Sequence, residues 1–162
     1  MSVTFRPVRA DDHPFLRALY ASTRQDEMAL SGWAPEQVEA FLTMQFELQH
    51  AHYQRHYADA DFLVVEREGV PVGRLYVARW EREIRIVDIA LVPEARGRGL
   101  GSRLMRELMA EAAEAGLPLR IHVEKFNPAL RLYRRLGFTA IQDKGVYLFM
   151  EWRPDAAAPP ED

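Results

Sequence analysis

A chain of 162 residues with 48% hydrophobic content has the length of about one domain and enough apolar material for its own core. Its 21 basic and 24 acidic side chains sum to −3, so no global cationic field is available to hold DNA or another polyanion, and any anion site must be local. Absence of cysteine excludes disulfides, thiolate zinc sites and a cysteine nucleophile, and no run approaches the ~20 apolar residues of a membrane span, so the expectation is a soluble, cytoplasmic protein with no membrane or nucleic-acid partner.

Thr4 to Val8 alternates weakly as a strand, and Ala10-Asp11-Asp12-His13-Pro14 reads as a helix cap with proline in the first turn. Phe15, Leu16, Leu19 and Tyr20 repeat at helical period until Ser31-Gly32-Trp33-Ala34-Pro35 interrupts. A second helix is predicted from about Pro35 to Tyr57 with Val38, Phe41, Leu42 and Leu48 inward, closed by Ala58-Asp59-Ala60-Asp61. Phe62 to Glu66 and Val70 to Ala78, joined by Arg67-Glu68-Gly69, form a predicted β-hairpin. A third strand runs from about Ile84 to Val92 and stops at Pro93. Leu104, Met105, Leu108, Met109 and Ala112 mark the next helix, with Gly116 and Pro118 as its stop. Leu119 to Glu124 is a strand, Asn127-Pro128 caps a short helix that ends at Gly137, and Phe138 to Ile141 with Gly145 to Trp152 form a closing strand pair. Pro154 to Asp162 is expected to be a disordered tail, which leaves 1–153 as a single domain of mixed α/β layers.

The most informative stretch joins a strand to a helix through three glycines, Gly97, Gly99 and Gly101. Glycines let the backbone approach a ligand and turn its N–H groups inward, while the positive end of the following helix favours phosphate. Between Arg96 and Arg106 there are four arginines and no acid, a local excess of positive charge in a chain of net −3. The bland alternative is an arginine-rich surface turn at the start of a helix. A Walker loop is absent, since no lysine follows the glycines, and the dinucleotide spacing fails because Ser102 stands where a third glycine is needed.

Arg96-Gly97-Arg98-Gly99-Leu100-Gly101 meets in full the Gln/Arg-x-x-Gly-x-Gly/Ala motif of the GNAT superfamily of acyl-CoA-dependent N-acyltransferases, which this chain resembles. Asn127-Pro128-Ala129-Leu130-Arg131-Leu132-Tyr133-Arg134-Arg135-Leu136-Gly137-Phe138 is similar to the family's C-terminal Asn…Leu-Tyr-x-x-Leu-Gly-Phe. The strong match spans Ile84 to Phe138, and Phe5 to Arg9 with Asp11-Asp12 fits the family's first strand and turn. The resemblance implies a GNAT fold: an α/β domain with a single mixed, mostly antiparallel sheet, splayed central parallel strands and flanking helices. It implies acetyl-CoA as cosubstrate, with pantetheine along the main chain of Ile89, Ala90 and Leu91 and the Leu91 N–H facing the oxyanion. Pyrophosphate would lie on the turn led by Arg96, on the N–H groups of Gly97, Arg98, Gly99, Leu100, Gly101 and Ser102, and Asn127 would contact the same cofactor. Substrate choice in the family resides in the divergent helices before Phe62.

Moving an acetyl group to a primary amine of a small molecule or peptide by direct attack needs a neutral amine, an oxyanion donor and an acid for the departing thiolate. The resemblance makes Tyr133 that acid; a phenol with a pKa of about 10 is matched to a thiolate, although a core aromatic beside Leu132 and Leu136 has the same pattern. Three sources of the base stay open. Asp88 is a carboxylate inside an apolar strand, where it needs either a function or a specific partner. His122 shares one strand face with Glu124 and titrates near the right pH, yet a solvated strand edge explains that face equally. An ordered water relayed by these groups is the third. His52 and His56 stand at i, i+4, but Tyr53 occupies the place of a zincin glutamate and no third ligand is evident, so no metal is expected. His50 and Tyr57 belong to the same aromatic-polar face. The competing function is a non-catalytic acyl-CoA-binding sensor or interaction module, and a homodimer is left open.

Overall fold

Apart from a short first strand near the start of the chain, the strands lie where helical periodicity gives way to alternation, after residue 60. A computed structural model describes residues 2–154 of the chain; the expected tail, Pro154 apart, lies outside the described residues. The strands are β1 (Val3–Pro7), β2 (Asp61–Arg67), β3 (Val70–Arg79), β4 (Ile84–Leu91), β5 (Leu119–Glu124), β6 (Thr139–Asp143) and β7 (Tyr147–Trp152). The helices are α1 (His13–Thr23), α2 (Gln25–Ala29), α3 (Pro35–His56), α4 (Leu100–Ala115) and α5 (Leu130–Arg135). Among the described residues the strands form one seven-stranded sheet in the order β1-β2-β3-β4-β5-β7-β6. β4 and β5 pair in parallel, from Ile84 opposite Leu119 to Ile86 opposite Ile121, whereas β1–β2, β5–β7 and β6–β7 are antiparallel. This is the mixed, mostly antiparallel sheet expected from the sequence. No helix among the described residues is long and apolar enough to cross a membrane.

The chain divides into two compact units, Met1–Tyr76 with Asp88–Arg96 and Val77–Val87 with Gly97–Asp162. In the first, α1 and α3 bury Leu16, Tyr20, Leu42 and Phe46 against one another. Leu48, expected to point inward, is 61% exposed. The stripe from Leu42 continues four residues on at Phe46, and a residue six positions from Leu42 lies about 240° around the helix. Trp33, before α3, is 48% exposed with its ring edge-on to Phe41. The first helix stops earlier than its periodicity suggests, because the Ser22 and Thr23 hydroxyls donate back to the carbonyls of Leu19 and Tyr20, at 2.7 and 2.6 Å. Such bonds loosen a helix end, and α2 forms a separate turn after Arg24.

Asp12 precedes α1, and Pro14 sits in the first turn as predicted, but the Asp12 carboxylate makes no cap. It is buried and receives both terminal nitrogens of Arg6, at 2.8 and 2.7 Å, and the Arg9 N–H at 2.6 Å. Arg6 also donates its Nε to Glu66 at 3.0 Å, so one guanidinium joins β1, β2 and the start of α1.

In the second unit α4 buries Leu100, Leu104, Met105, Leu108 and Ala112 along one face and ends at Gly116, in the left-handed region with φ 70°. Along β5, Leu119, Ile121 and Val123 are buried and alternate with the half-buried Arg120, His122 and Glu124. The closing pair is shifted from the prediction by a bulge between Ala140 and Gln142. Gly137 (φ 105°) leaves room for the indole of Trp152, which is 6% exposed; a Cβ there would come within 3.3 Å of the ring.

The hydrogen bonds from Arg6 hold the Asp12 carboxyl at about 2, below its reference of 3.8. A depressed folded-state pKa stabilises above the unfolded value and loses that contribution as pH falls toward the folded one. Asp12→Asn is therefore expected to cost about 2 kcal/mol at pH 7 and progressively less between pH 4 and pH 2. Urea unfolding across that range checks it; a constant difference would reject the assignment.

Candidate active site

After β4 the chain makes a short 3-10 turn, Pro93–Ala95, and then passes through Gly97 (φ 74°) and Gly99 (φ 81°) into α4. Both glycines sit in the left-handed region, and a Cβ on either would meet nothing within 4 Å, so the backbone is open to a ligand on that side. Gly99 is the residue before the helix, and Arg103 donates its N–H to the Gly99 carbonyl at 2.9 Å. The N–H groups of Leu100, Gly101 and Ser102 therefore have no acceptor within the helix and stand at the positive end of its dipole. Main-chain donors in this arrangement can accept an anion. The arginines around it differ in their commitments. Arg98 is exposed, Arg103 lies 3.3 Å from Glu107, and Arg96 donates to the Leu91 carbonyl at 2.9 Å and to Ser22 Oγ at 3.1 Å. The Arg96 side chain thus fastens the end of β4 within the first unit.

The partner that sequence reasoning required for Asp88 is Arg74, in the middle of β3. Its Nη2 donates to Asp88 Oδ2 at 2.7 Å and to Gln49 Oε1 at 2.8 Å, while Tyr53 Oη donates to the same Oδ2 at 2.7 Å. Arg74 is 3% exposed, its Cζ lies 5.1 Å from the centre of the Tyr76 ring, and its buried Nε has no hydrogen-bond partner. Burial, the largest single influence, lowers the Arg74 pKa; Asp88, Tyr76 and Tyr53 together outweigh it and the net direction is upward. One residue earlier, a Cβ on Gly73 would collide with the Ala90 carbonyl oxygen and press on Leu91, and Val92 donates its N–H to Val72 at 2.8 Å. Close approach of β3 thereby fixes the backbone of Ile89, Ala90 and Leu91. Arg74, Gln49 and Gly73 escaped sequence reasoning, although a lone arginine in one apolar strand and a lone aspartate in the next was a readable signal.

In the second unit Tyr133 is 4% exposed on α5, its ring centre 6.0 Å from that of Phe138. Asn127 Oδ1 accepts the Ala129 N–H at 2.9 Å and its carbonyl accepts that of Leu130 at 3.0 Å, which is the capping expected of it. His122 stacks on Phe149 at 4.4 Å with 20° between the planes, and its Nε2 lies 3.1 Å from Lys144 Nζ. Burial, then the charges of Lys144 and Arg85, push the imidazole down to about 4. It is neutral at physiological pH but too weak a base to compete well for an ammonium proton. His52 and His56 stand 4.4 Å apart, ring centre to ring centre, and among the described residues no group of three or more His, Cys, Asp or Glu is placed to hold a metal ion.

Residues 18–138, which contain the glycine turn and the Tyr133 helix, match the family model described as the acetyltransferase (GNAT) family. The chain belongs to the GNAT family. A GCN5-like protein acetyltransferase of Mycobacterium tuberculosis is 40% identical over 82 residues, covering 49% of this chain and 39% of that protein. Streptothricin acetyltransferase of Streptomyces lavendulae is 38% identical over 87 residues, covering 49% and 46%. The match thus spans less than half the length of either relative. The PaiA N-acetyltransferase of Thermoplasma acidophilum, solved in complex with coenzyme A, has the same fold, with a TM-score of 0.69 over 94% of this chain and 99% of that one at 18% identity.

Breaking the buried pair from one side leaves an uncompensated guanidinium, so Asp88→Asn is expected to destabilise by roughly 3–5 kcal/mol. Removing both charges in Arg74→Met/Asp88→Asn should recover much of that loss. Denaturant unfolding of the single and double variants measures the coupling; additive effects would show that the pair is not the unit.

Proposed function

We propose that this GNAT-family protein is an N-acetyltransferase that moves the acetyl group of acetyl-CoA to a primary amine of a small molecule or peptide. The observation that carries the reading is the turn through Gly97 and Gly99, open on its ligand side and leading into three helix N–H groups without helical acceptors. Pyrophosphate suits that turn, with Arg98 beside it and Asn127 as a further contact. Ile89, Ala90 and Leu91 offer main-chain partners to pantetheine, and the Leu91 N–H is the oxyanion donor. In this reading 1–153 acts as one domain, since the family match runs through both units.

The chemistry needs no enzyme-bound intermediate. The amine nitrogen attacks the thioester carbon, the carbon–sulfur bond breaks, and the thiolate takes a proton from the Tyr133 phenol. Asp88 is held by Arg74 and Tyr53, and His122 is too weak a base, so removal of the ammonium proton falls to ordered water relayed by these groups.

Tyr133→Phe keeps the ring and removes only the hydroxyl. It is expected to lower turnover by ~10²–10⁴-fold with cofactor affinity nearly unchanged. Single-turnover kinetics with acetyl-CoA and an amine panel check this, and full activity in a folded variant would remove Tyr133 from the mechanism. Gly99→Val places a β-branched residue at φ 81° on the anion path; calorimetry should show coenzyme A binding weakened at least tenfold, and unchanged affinity in a folded variant would move the pyrophosphate elsewhere.

A further inference from the structure

One face of the second unit's strands carries a dense set of charges around Phe149. Glu83 is gripped by Arg85, at 2.8 and 3.2 Å, and by Arg120 at 3.0 Å. Glu151 is gripped by Arg120 at 2.8 Å and Arg153 at 2.6 Å. Asp143, at the end of β6, is taken by Lys125 at 2.8 Å and by the Gly145 N–H at 2.9 Å. The neighbouring Lys144 is left without a carboxylate among the described residues. Its Nζ rests instead on the neutral imidazole of His122 and lies 5.2 Å from the centre of the Phe149 ring. Arg85 stands over the same ring at 4.7 Å, and His122 stacks against it. Phe149 therefore gathers two fixed cations and a protonatable ring, within a chain of net negative charge.

We propose that Lys144 and His122, standing over Phe149, form a binding site for a small carboxylate. The anion accepts hydrogen bonds from Lys144 Nζ and from His122 Nε2, and the imidazole takes up one proton from solvent to become a donor. The groups around His122 account for its resting state. Lys144 from the β6–β7 turn and Arg85 from β4 repel the charged form, Glu83 favours it in part, and Glu124 lies two residues along β5 opposite Tyr147. A carboxylate against Lys144 cancels the repulsion, so binding and protonation reinforce one another. The half-buried imidazole and the ring beneath it exclude water from one side, which strengthens such charge-assisted bonds relative to an open surface.

The test is the imidazole titration of His122 by NMR on the full chain, histidine-labelled and free of acetyl-CoA, with His122→Gln assigning its signal among the five histidines. Sodium acetate is compared with sodium chloride at equal ionic strength. An N-acetylated dipeptide with a free C-terminus is compared with its amide, which separates a free acid from a chain end. Carboxylate is expected to raise the His122 midpoint by at least one unit beyond chloride, corresponding to tenfold tighter binding to the protonated form. A response to acetate or to the free dipeptide, with none to the amide and none in a folded Lys144→Ala protein, supports the site. Equal shifts with chloride, or a carboxylate response that survives Lys144→Ala, would overturn it. The readout involves neither cofactor nor turnover, so it stands apart from any failure of the acetyl-transfer reading.

Discussion

A guanidinium removed from water must find its counter-charge within the protein, and in the first unit that requirement falls on Arg74. Its position in the apolar run of β3 is tolerable only with the Asp88 carboxylate of β4 to accept its Nη2 and with Gln49 and Tyr53 of α3 turned toward the pair. The interaction therefore specifies register. A slip of one residue in β4 would send Asp88 to the opposite face and strand the guanidinium. Gly73 adds a steric condition to the electrostatic one, since only a residue without Cβ lets β3 approach the Ala90 carbonyl. Placement of Ile89 to Leu91 follows from these two constraints more than from the side chains of that segment.

Main chain and side chain divide the electrostatic work. The turn before α4 presents backbone N–H groups, while several nearby arginines are committed elsewhere: Arg96 to the Leu91 carbonyl and Ser22, Arg103 to Glu107. The anion site proposed at this turn depends on φ angles, not on the number of basic residues. The face carrying Arg85, Arg120 and Arg153 shows the opposite arrangement, in which guanidinium forks bridge carboxylates and saturate them.

Local features were the legible ones. The alternation in Leu119–Glu124, the stripe from Leu104 to Ala112, the glycines before α4 and the capping role of Asn127 each depend on residues close in sequence, and the structure holds them much as read. What escaped was set by partners far along the chain. Asp12 has the sequence position of a helix cap, but Arg6 and Arg9 claim its carboxylate. Asp88 could be recognised as needing a partner, whereas the identity of that partner depended on pairing across fourteen residues and on a tyrosine from α3. His122 looked ready to titrate near neutrality until Phe149, Lys144 and Arg85 surrounded it. Leu48 was misplaced for a different reason: a long helix with weak segregation of its apolar residues offers two plausible stripes, and only packing against α1 chose the one through Phe46.

The room that Gly137 leaves for Trp152 has an optical consequence. An indole sealed from solvent emits at shorter wavelength and is shielded from aqueous quenchers, whereas the half-exposed Trp33 emits to the red and is open to them. A third tryptophan, Trp80, is half-buried under Arg85 in the second unit. Trp80→Phe would leave one native fluorophore in each unit, with iodide quenching Trp33 and sparing Trp152, so that the melting of each could be followed without an added dye.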